Sequence, residues 1–286
     1  MSAVSLSIVF SKIDIREIVV MFRKIGPFYF LLASLLYILS LLVSTSRWKL
    51  LLPEKFTFRR LFSLYMIGSF FSSFLPGVIG GDVVKAYYLN KDAKKLSLTL
   101  ASIFMDRYLG YVSLMVIGIA AFPFTLSFFG GSAYKWIMPA IFVSFVIGSF
   151  LFFGLKIGKR FRTVSEFYDY FVSLKERKDV IMKAVMLSFL IQFMGFSAVA
   201  LLASAMGENI PVLLLFVFLP IVITISSLPI SISGLGVREG SFVILLGLIG
   251  VRPEVATSLS LSWFFSIFIG SLPGLGAYIR HTGNQK

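Results

Sequence analysis

Five stretches, residues 27–46, 96–122, 134–155, 183–206 and 255–279, are apolar over lengths near or above those that cross a membrane. A helix needs about 20 such residues to span a hydrocarbon core of ~30 Å. Lipid offers no hydrogen-bond partners, so a crossing segment must satisfy its backbone as a helix or within a closed barrel. The in-and-out alternation of barrel strands is missing here. The expectation is an all-α integral membrane protein, a polytopic helical bundle. Composition agrees: with 58% hydrophobic residues and 32 phenylalanines among 286, little is left for a water-facing surface.

Catalytic chemistry finds few parts. The chain has no cysteine, and its one histidine, His281, lies in a polar tail. Disulfides, thiolate metal sites and serine–histidine catalysis therefore have no obvious residues to use. No cofactor, metal or catalytic residue is expected, and no nucleic-acid partner.

The net charge of +14 is informative through its placement. Arg47, Lys49, Lys55, Arg59 and Arg60 follow the first span, and Lys91, Lys94 and Lys95 precede the next. Both ends are assigned to the cytoplasm by the positive-inside bias. The links around Gly130 and Met206 carry almost no basic residues and are assigned outside; Arg280 and Lys286 place the C-terminus inside. The protein is thus expected in the cell membrane as a multi-pass chain with a cytoplasmic C-terminus. The longest polar stretch, 156–183, has Phe161, Val164, Phe167, Tyr168, Phe171 and Leu174 at helical spacing among many basic residues. It reads as an amphipathic cytoplasmic linker helix that anchors at the interface.

The chain is treated as one transmembrane domain, 1–286. It comprises an interfacial segment at 1–26, a first repeat region at 27–155, the linker at 156–182 and a second repeat region at 183–286. The 1–26 segment carries basic residues on the side assigned outside, against the charge bias, and lacks the order of a secretory signal peptide.

Two further apolar segments are too interrupted to be ordinary spans. Residues 61–75 end at Pro76 and are followed by Gly80 and Gly81; residues 212–228 end at Pro229 and are followed by Gly234 and Gly236. "SSFLPGVIGGDVVK" and "ISSLPISISGLGVR" share Leu-Pro, then glycine, valine and a base at five, eight and nine residues past the proline. Three spans lie between the copies, so the second meets the membrane from the opposite side. The expectation is two inverted repeats, each with a broken or re-entrant helical hairpin. Such paired breaks point to a transporter's central site.

Charges lie beside both breaks. Asp82 and Lys85 can share a helical face, and Arg238 and Glu239 supply both signs at the second copy. Asp106 and Arg107 fall inside a span, about 16 Å along a helix from Lys95. Each such charge costs about 2.5–3.5 kcal/mol to insert. Guanidinium and ammonium groups beside glycine turns suit an anion, and a phosphate-bearing ligand is the natural guess. For Asp106 a structural ion pair and a functional role stand level.

The motifs "LPGVIGGDVVKAYYL", "MDRYLG", "LPISISGLGVREG" and "SRWKLLLP" closely resemble those of the lysylphosphatidylglycerol synthase transmembrane-region family, flippase-like proteins also found fused to aminoacyl-lipid synthases and some glycosyltransferases. The resemblance implies a helical inner-membrane protein. It marks Gly80, Gly81, Asp82, Lys85, Asp106, Arg107, Gly234, Gly236, Arg238 and Glu239 as signature positions. It also implies a full transmembrane helix at the start, which residues 2–10 are too short to supply. No synthase domain follows Lys286, so aminoacyl-lipid synthesis is not expected.

The leading expectation is a lipid translocase, not an enzyme, that moves an anionic phosphate-bearing lipid such as a phospholipid or a polyprenyl-phosphate lipid. Lys85, Arg107 and Arg238 would hold the phosphate, and Asp82, Asp106 and Glu239 would orient them. Pro76, Gly80, Gly81, Pro229, Gly234 and Gly236 would shape the turns. Alternatives are a non-transporting scaffold that recruits a lipid-modifying synthase or glycosyltransferase and a membrane headgroup transferase. Membrane lipids are the expected partners; the sequence leaves the oligomeric state open.

Overall fold

The computed structural model describes residues 15–54, 56–75, 79–93, 95–155, 162–228, 231 and 233–283. The described residues are helical and contain no strand. Helix α1 is Ile15–Leu51, with a break at Gly26 (φ 68°, ψ 159°) just before Pro27. Short helices α2 (Phe58–Ser72) and α3 (Ile79–Ala93) follow, then α4 (Leu96–Ala121), two 3₁₀ segments, and α5 (Ile137–Gly154). The second part runs through α6 (Arg162–Glu176), α7 (Lys178–Ala205), α8 (Val212–Ser227), α9 (Val237–Gly247), α10 (Pro253–Ser271) and α11 (Pro273–Gly283).

Five described helical stretches are long and apolar enough to cross a membrane: Arg16–Leu51, Leu96–Phe129, Ala133–Gly154, Lys178–Ala205 and Pro253–His281. They coincide with the five apolar runs. The last one is divided at Leu272, after which Pro273 begins α11. By contrast α2 and α3 have 15 residues each, and α8 and α9 have 16 and 11. At 1.5 Å per residue none reaches ~30 Å, so each pair forms a hairpin of half-length helices.

Polarity is arranged as lipid demands. Phe28, Leu31, Leu35, Val143, Phe150 and Met186 point outward, while Ser34, Thr45, Ser102, Ser188, Ser260 and Ser266 are buried. Their hydroxyls find acceptors inside the bundle; Ser34, for instance, donates to Ser266 O (2.9 Å), tying α1 to α10. These helices run close: a Cβ on Gly270 of α10 would meet Tyr37 Cδ1 at 2.9 Å and Ser34 O at 3.1 Å. Small residues allow such approach where apolar burial gives no net drive.

The order of long helix, two half-helices and long helix occurs twice. Exchanging α1 with α7, α2 with α8, α3 with α9, α4 with α10 and α5 with α11 turns every helix pairing, those of α6 apart, into another observed pairing. Helix α1 packs on its own counterpart α7 at the centre.

Helix α6 is amphipathic, as the spacing predicts, but its apolar face meets protein. Phe167 packs edge-on to Phe104 of α4 and to Phe152 of α5, and Phe171 stacks on Phe153 at 4.2 Å. Tyr170 donates to Leu51 O at the end of α1 (2.6 Å). Burial, with the Asp106 charge nearby, pushes its phenol well above the ordinary value. The expected interfacial anchor is therefore also a clasp across the ends of α1, α4 and α5. Residues 156–161 of that stretch lie outside the described residues, as do residues 1–14 of the N-terminal segment.

Candidate functional site

The first hairpin closes on glycine. Gly68 of α2 faces Gly81 of α3, and a Cβ on Gly68 would lie 2.7 Å from Lys85 Cγ and 2.8 Å from Gly81 O. A Cβ on Gly81 would collide with Gly68 O and Ser72 Oγ, and one on Gly80 with the Leu75 side chain. No other residue fits these positions without parting the hairpin. Because α2 and α3 touch at backbone distance, the first turns of α3 are held against α4, and Lys85 reaches Trp48 of α1.

Asp82 is the hub. Its Oδ1 lies 2.8 Å from Lys85 Nζ, one turn along the same helix, and its Oδ2 accepts from Arg107 Nε of α4 at 2.6 Å. The Lys85 ammonium also sits over the Tyr65 ring (4.1 Å from its centroid) and near the Trp48 ring (5.2 Å). Two aromatic faces and a carboxylate stabilise the cation away from water. Beside this group, Arg47 Nε donates to Asp106 Oδ1 (2.8 Å) and Arg47 Nη1 donates to Ser188 Oγ of α7 (2.8 Å). The Tyr65 hydroxyl donates to the other Asp106 oxygen, and Tyr37 hydrogen-bonds Ser69.

Trp48 and Ser188 apart, these side chains wall a cavity of about 310 Å³. Tyr37, Ser40, Ser44 and Arg47 come from α1, Ser69 and Ser72 from α2, Asp82 and Lys85 from α3, Asp106 and Arg107 from α4 and Gln192 from α7. The three cations, Arg47, Lys85 and Arg107, outnumber the two carboxylates by one. Arg107 is the open one, with its side chain 38% exposed against 4% for Lys85 and 6% for Arg47. A planar guanidinium presented to such a space can bind phosphate through paired hydrogen bonds, with the ammonium adding a point charge.

The second hairpin places its charges elsewhere. Its break turns through Ser233, Gly234 and Gly236, all with positive φ (49°, 75° and 85°). Helix α9 then starts with Glu239 folded back, its Oε2 accepting the Gly236 N–H at 2.5 Å. The other oxygen accepts from Arg238 Nη2 (2.8 Å) and from Ser260 Oγ of α10 (3.0 Å), and Arg238 Nε reaches Ser260 Oγ at 3.0 Å. Glu239 is fully buried, and the Arg238 guanidinium lies 5.0 Å from the Phe264 ring. Neither residue lines the 310 Å³ cavity, nor do Gly234 and Gly236.

Of the sequence-derived site residues, the structure thus gathers Gly81, Asp82, Lys85, Asp106 and Arg107 at one cavity. Gly80 packs behind them, and Arg238 and Glu239 form a separate closed pair. Pro76 and Pro229 lie outside the described residues. Sequence reasoning missed Arg47, Tyr65, Trp48 and Gln192. Arg47 was counted among the loop bases after the first span, but it sits on α1, buried, as the partner of Asp106. The signal available was Asp106 itself: a buried carboxylate in a span needs a cation, and Arg47 lies at the end of the neighbouring apolar run.

Comparisons with known proteins place the chain in a family. The model of the family described as "Lysylphosphatidylglycerol synthase TM region" matches residues 1–274. A protein described as a UPF0104 membrane protein, from Methanothermobacter thermautotrophicus, is 24% identical over 313 aligned residues, covering 92% of this chain and 90% of its own length. No solved structure matches. The chain belongs to the lysylphosphatidylglycerol synthase transmembrane-region family.

Proposed function

We propose that this member of the family is a lipid translocase, not an enzyme, which passes an anionic, phosphate-bearing lipid between the leaflets of the cell membrane. The observation behind this reading is the convergence of Arg47, Lys85 and Arg107 on a cavity beside a broken hairpin, with one cation in excess of Asp82 and Asp106. Three cations against two carboxylates give the cavity a net positive charge, which suits an arriving phosphate. Asp82 holds Lys85 and Arg107 in reserve, and the headgroup replaces Asp82 as their partner. The lipid tails stay in the hydrocarbon throughout.

The paired pattern of helix contacts supports a pseudo-twofold relation between the halves, and three candidate spans between the hairpins support an inverted one. The basic loops favour a cytoplasmic C-terminus, and in the inverted arrangement the Arg238–Glu239–Ser260 network is the counterpart of the open site, sealed while the first is accessible. Movement of one hairpin against the other then exposes the site to the two leaflets in turn.

The chain has no cysteine, so a single introduced thiol reports on the cavity without background. Ser69→Cys lines it. Labelling of that thiol slows when phosphatidylglycerol is added, and a Lys85→Ala plus Arg107→Ala background abolishes the protection. Equal protection in both backgrounds would contradict headgroup binding at this site.

A further inference from the structure

Three described basic residues near the start of the chain, Arg16, Arg23 and Lys24, lie on the side where the charge bias expects none, and they do not line the central cavity. Arg23 is one of them, and it borders a second, different space. Ile18, Val19, Phe22, Arg23 and Phe30 of α1 and Leu261, Phe265 and Ile269 of α10 enclose an open groove of about 820 Å³. Among the described residues that line it, Arg23 is the one with a polar side chain.

The groove is made by the break at Gly26, whose φ of 68° turns the first eleven residues of α1 away from the helix that follows. Across that break Phe22 stacks on Phe30 (5.7 Å) and meets Phe265 edge-on (5.8 Å), giving the groove an aromatic floor. Its depth follows from two ties between the helices. Arg252 and Glu17 pair at 3.1 Å at the start of α10, and Ser34 bonds Ser266 fourteen residues later, about 21 Å along the helix. Arg23 lies between these ties, nearer the Glu17 end, while Ile269 lies past the deeper one.

The other half shows what such a space can hold. There, Phe152 and Phe153 of α5 fill the angle between α6 and α4, stacking with Phe104 and Phe171. No described residue does the same between the first turns of α1 and α10.

We propose that this groove binds one anionic phospholipid of the leaflet on the Arg252 side, with an acyl chain along Phe22, Phe265 and Ile269 and its phosphate on Arg23. The charge and the apolar length match the two parts of that ligand: a cation at the headgroup end and only hydrocarbon below it. The site is separate from the central cavity and does not depend on translocation.

The test uses the full chain carrying Lys85→Ala and Arg107→Ala, so that the central cavity takes no lipid. Purified protein is exchanged into detergent with phosphatidylglycerol or phosphatidylcholine added, and retained lipid is counted by native mass spectrometry. One phosphatidylglycerol is expected per chain. Val19→Trp, at an exposed position that projects into the groove, removes it; Leu261→Trp does the same from the opposite wall. Arg23→Gln lowers the preference for phosphatidylglycerol over phosphatidylcholine about tenfold, the loss of one charge-assisted contact. Unchanged retention in both tryptophan variants, or equal retention of the two lipids by the Arg23-containing protein, overturns the proposal. So does a cross-link from a cysteine placed within residues 1–14 to Ile269→Cys, which would make the chain's own start the occupant.

Discussion

Replacing Arg47 by methionine isolates the ion pair that holds the floor of the cavity. The change keeps an unbranched side chain, shorter by the guanidinium, and removes its charge, leaving Asp106 at 1% exposure without its Arg47 partner and with the Tyr65 hydroxyl still donating to it. At 2.8 Å, and with an effective dielectric constant near 20, the attraction lost is about 6 kcal/mol before desolvation is counted. The bond to Ser188 is lost as well. Because the stranded carboxylate stays buried, the net cost is about 3–5 kcal/mol. Asp106→Asn leaves Arg47 in the same difficulty and costs a similar amount. The double variant, Arg47→Met with Asp106→Asn, strands neither charge, so it is more stable than either single one. A double-mutant cycle on chemical unfolding in mixed micelles measures the coupling directly. A coupling below about 0.5 kcal/mol would falsify the pairing and leave Asp106 free for another role.

Other consequences are separable from this one. Gly81→Ala drives a methyl group into the Gly68 carbonyl and lowers stability by about 1–3 kcal/mol, whereas Gly240→Ala, with open space around it, is neutral or stabilises α9 by up to about 1 kcal/mol; thermal unfolding of the two ranks them, and equal effects refute the close approach. Gly236→Ala forces a Cβ onto a φ of 85° and costs about 1–2 kcal/mol by the same assay, with no change expected if the turn is lax. Tyr170→Phe removes the bond to Leu51 O and costs about 1 kcal/mol at neutral pH. The folded-state pKa of Tyr170 is raised, so its contribution is complete below the ordinary phenol value of 10.0 and fades as pH rises above it. The gap between wild type and Tyr170→Phe should therefore narrow in alkaline unfolding experiments, and a constant gap contradicts the assignment.

The spans and the hairpins were legible because each rests on a local property. Length and apolarity define the five candidate spans, and Pro-Gly punctuation marks the ends of α2 and α8. The partnership of Asp82 with Lys85 was equally local, one helical turn apart. What the sequence could not display were contacts closed by tertiary packing. Arg47 and Asp106 are 59 residues apart, and the charge bias that assigns loops also explained Arg47 as a loop base. Tyr65 and Trp48 were two aromatics among many until the fold set their faces against Lys85. The amphipathic pattern of α6 correctly announced a helix with one apolar face, yet hydrophobic spacing does not say whether lipid or Phe104 and Phe153 cover it. Arg238 and Glu239 match Lys85 and its neighbours in motif position but differ in their surroundings, since Ser260 and the Gly236 amide complete their hydrogen bonds within the protein.

We propose that the Asp82–Lys85–Arg107 cluster takes a lipid phosphate through the membrane. The direct measurement is transbilayer movement of fluorescent phosphatidylglycerol in proteoliposomes, followed by reduction of the exposed label. Wild-type protein should speed the exchange between leaflets, the Lys85→Ala plus Arg107→Ala variant should return it to the rate of protein-free vesicles, and Val19→Trp should reduce it far less than that variant. Equal rates for wild type and the double variant, with both proteins folded and inserted, would contradict it.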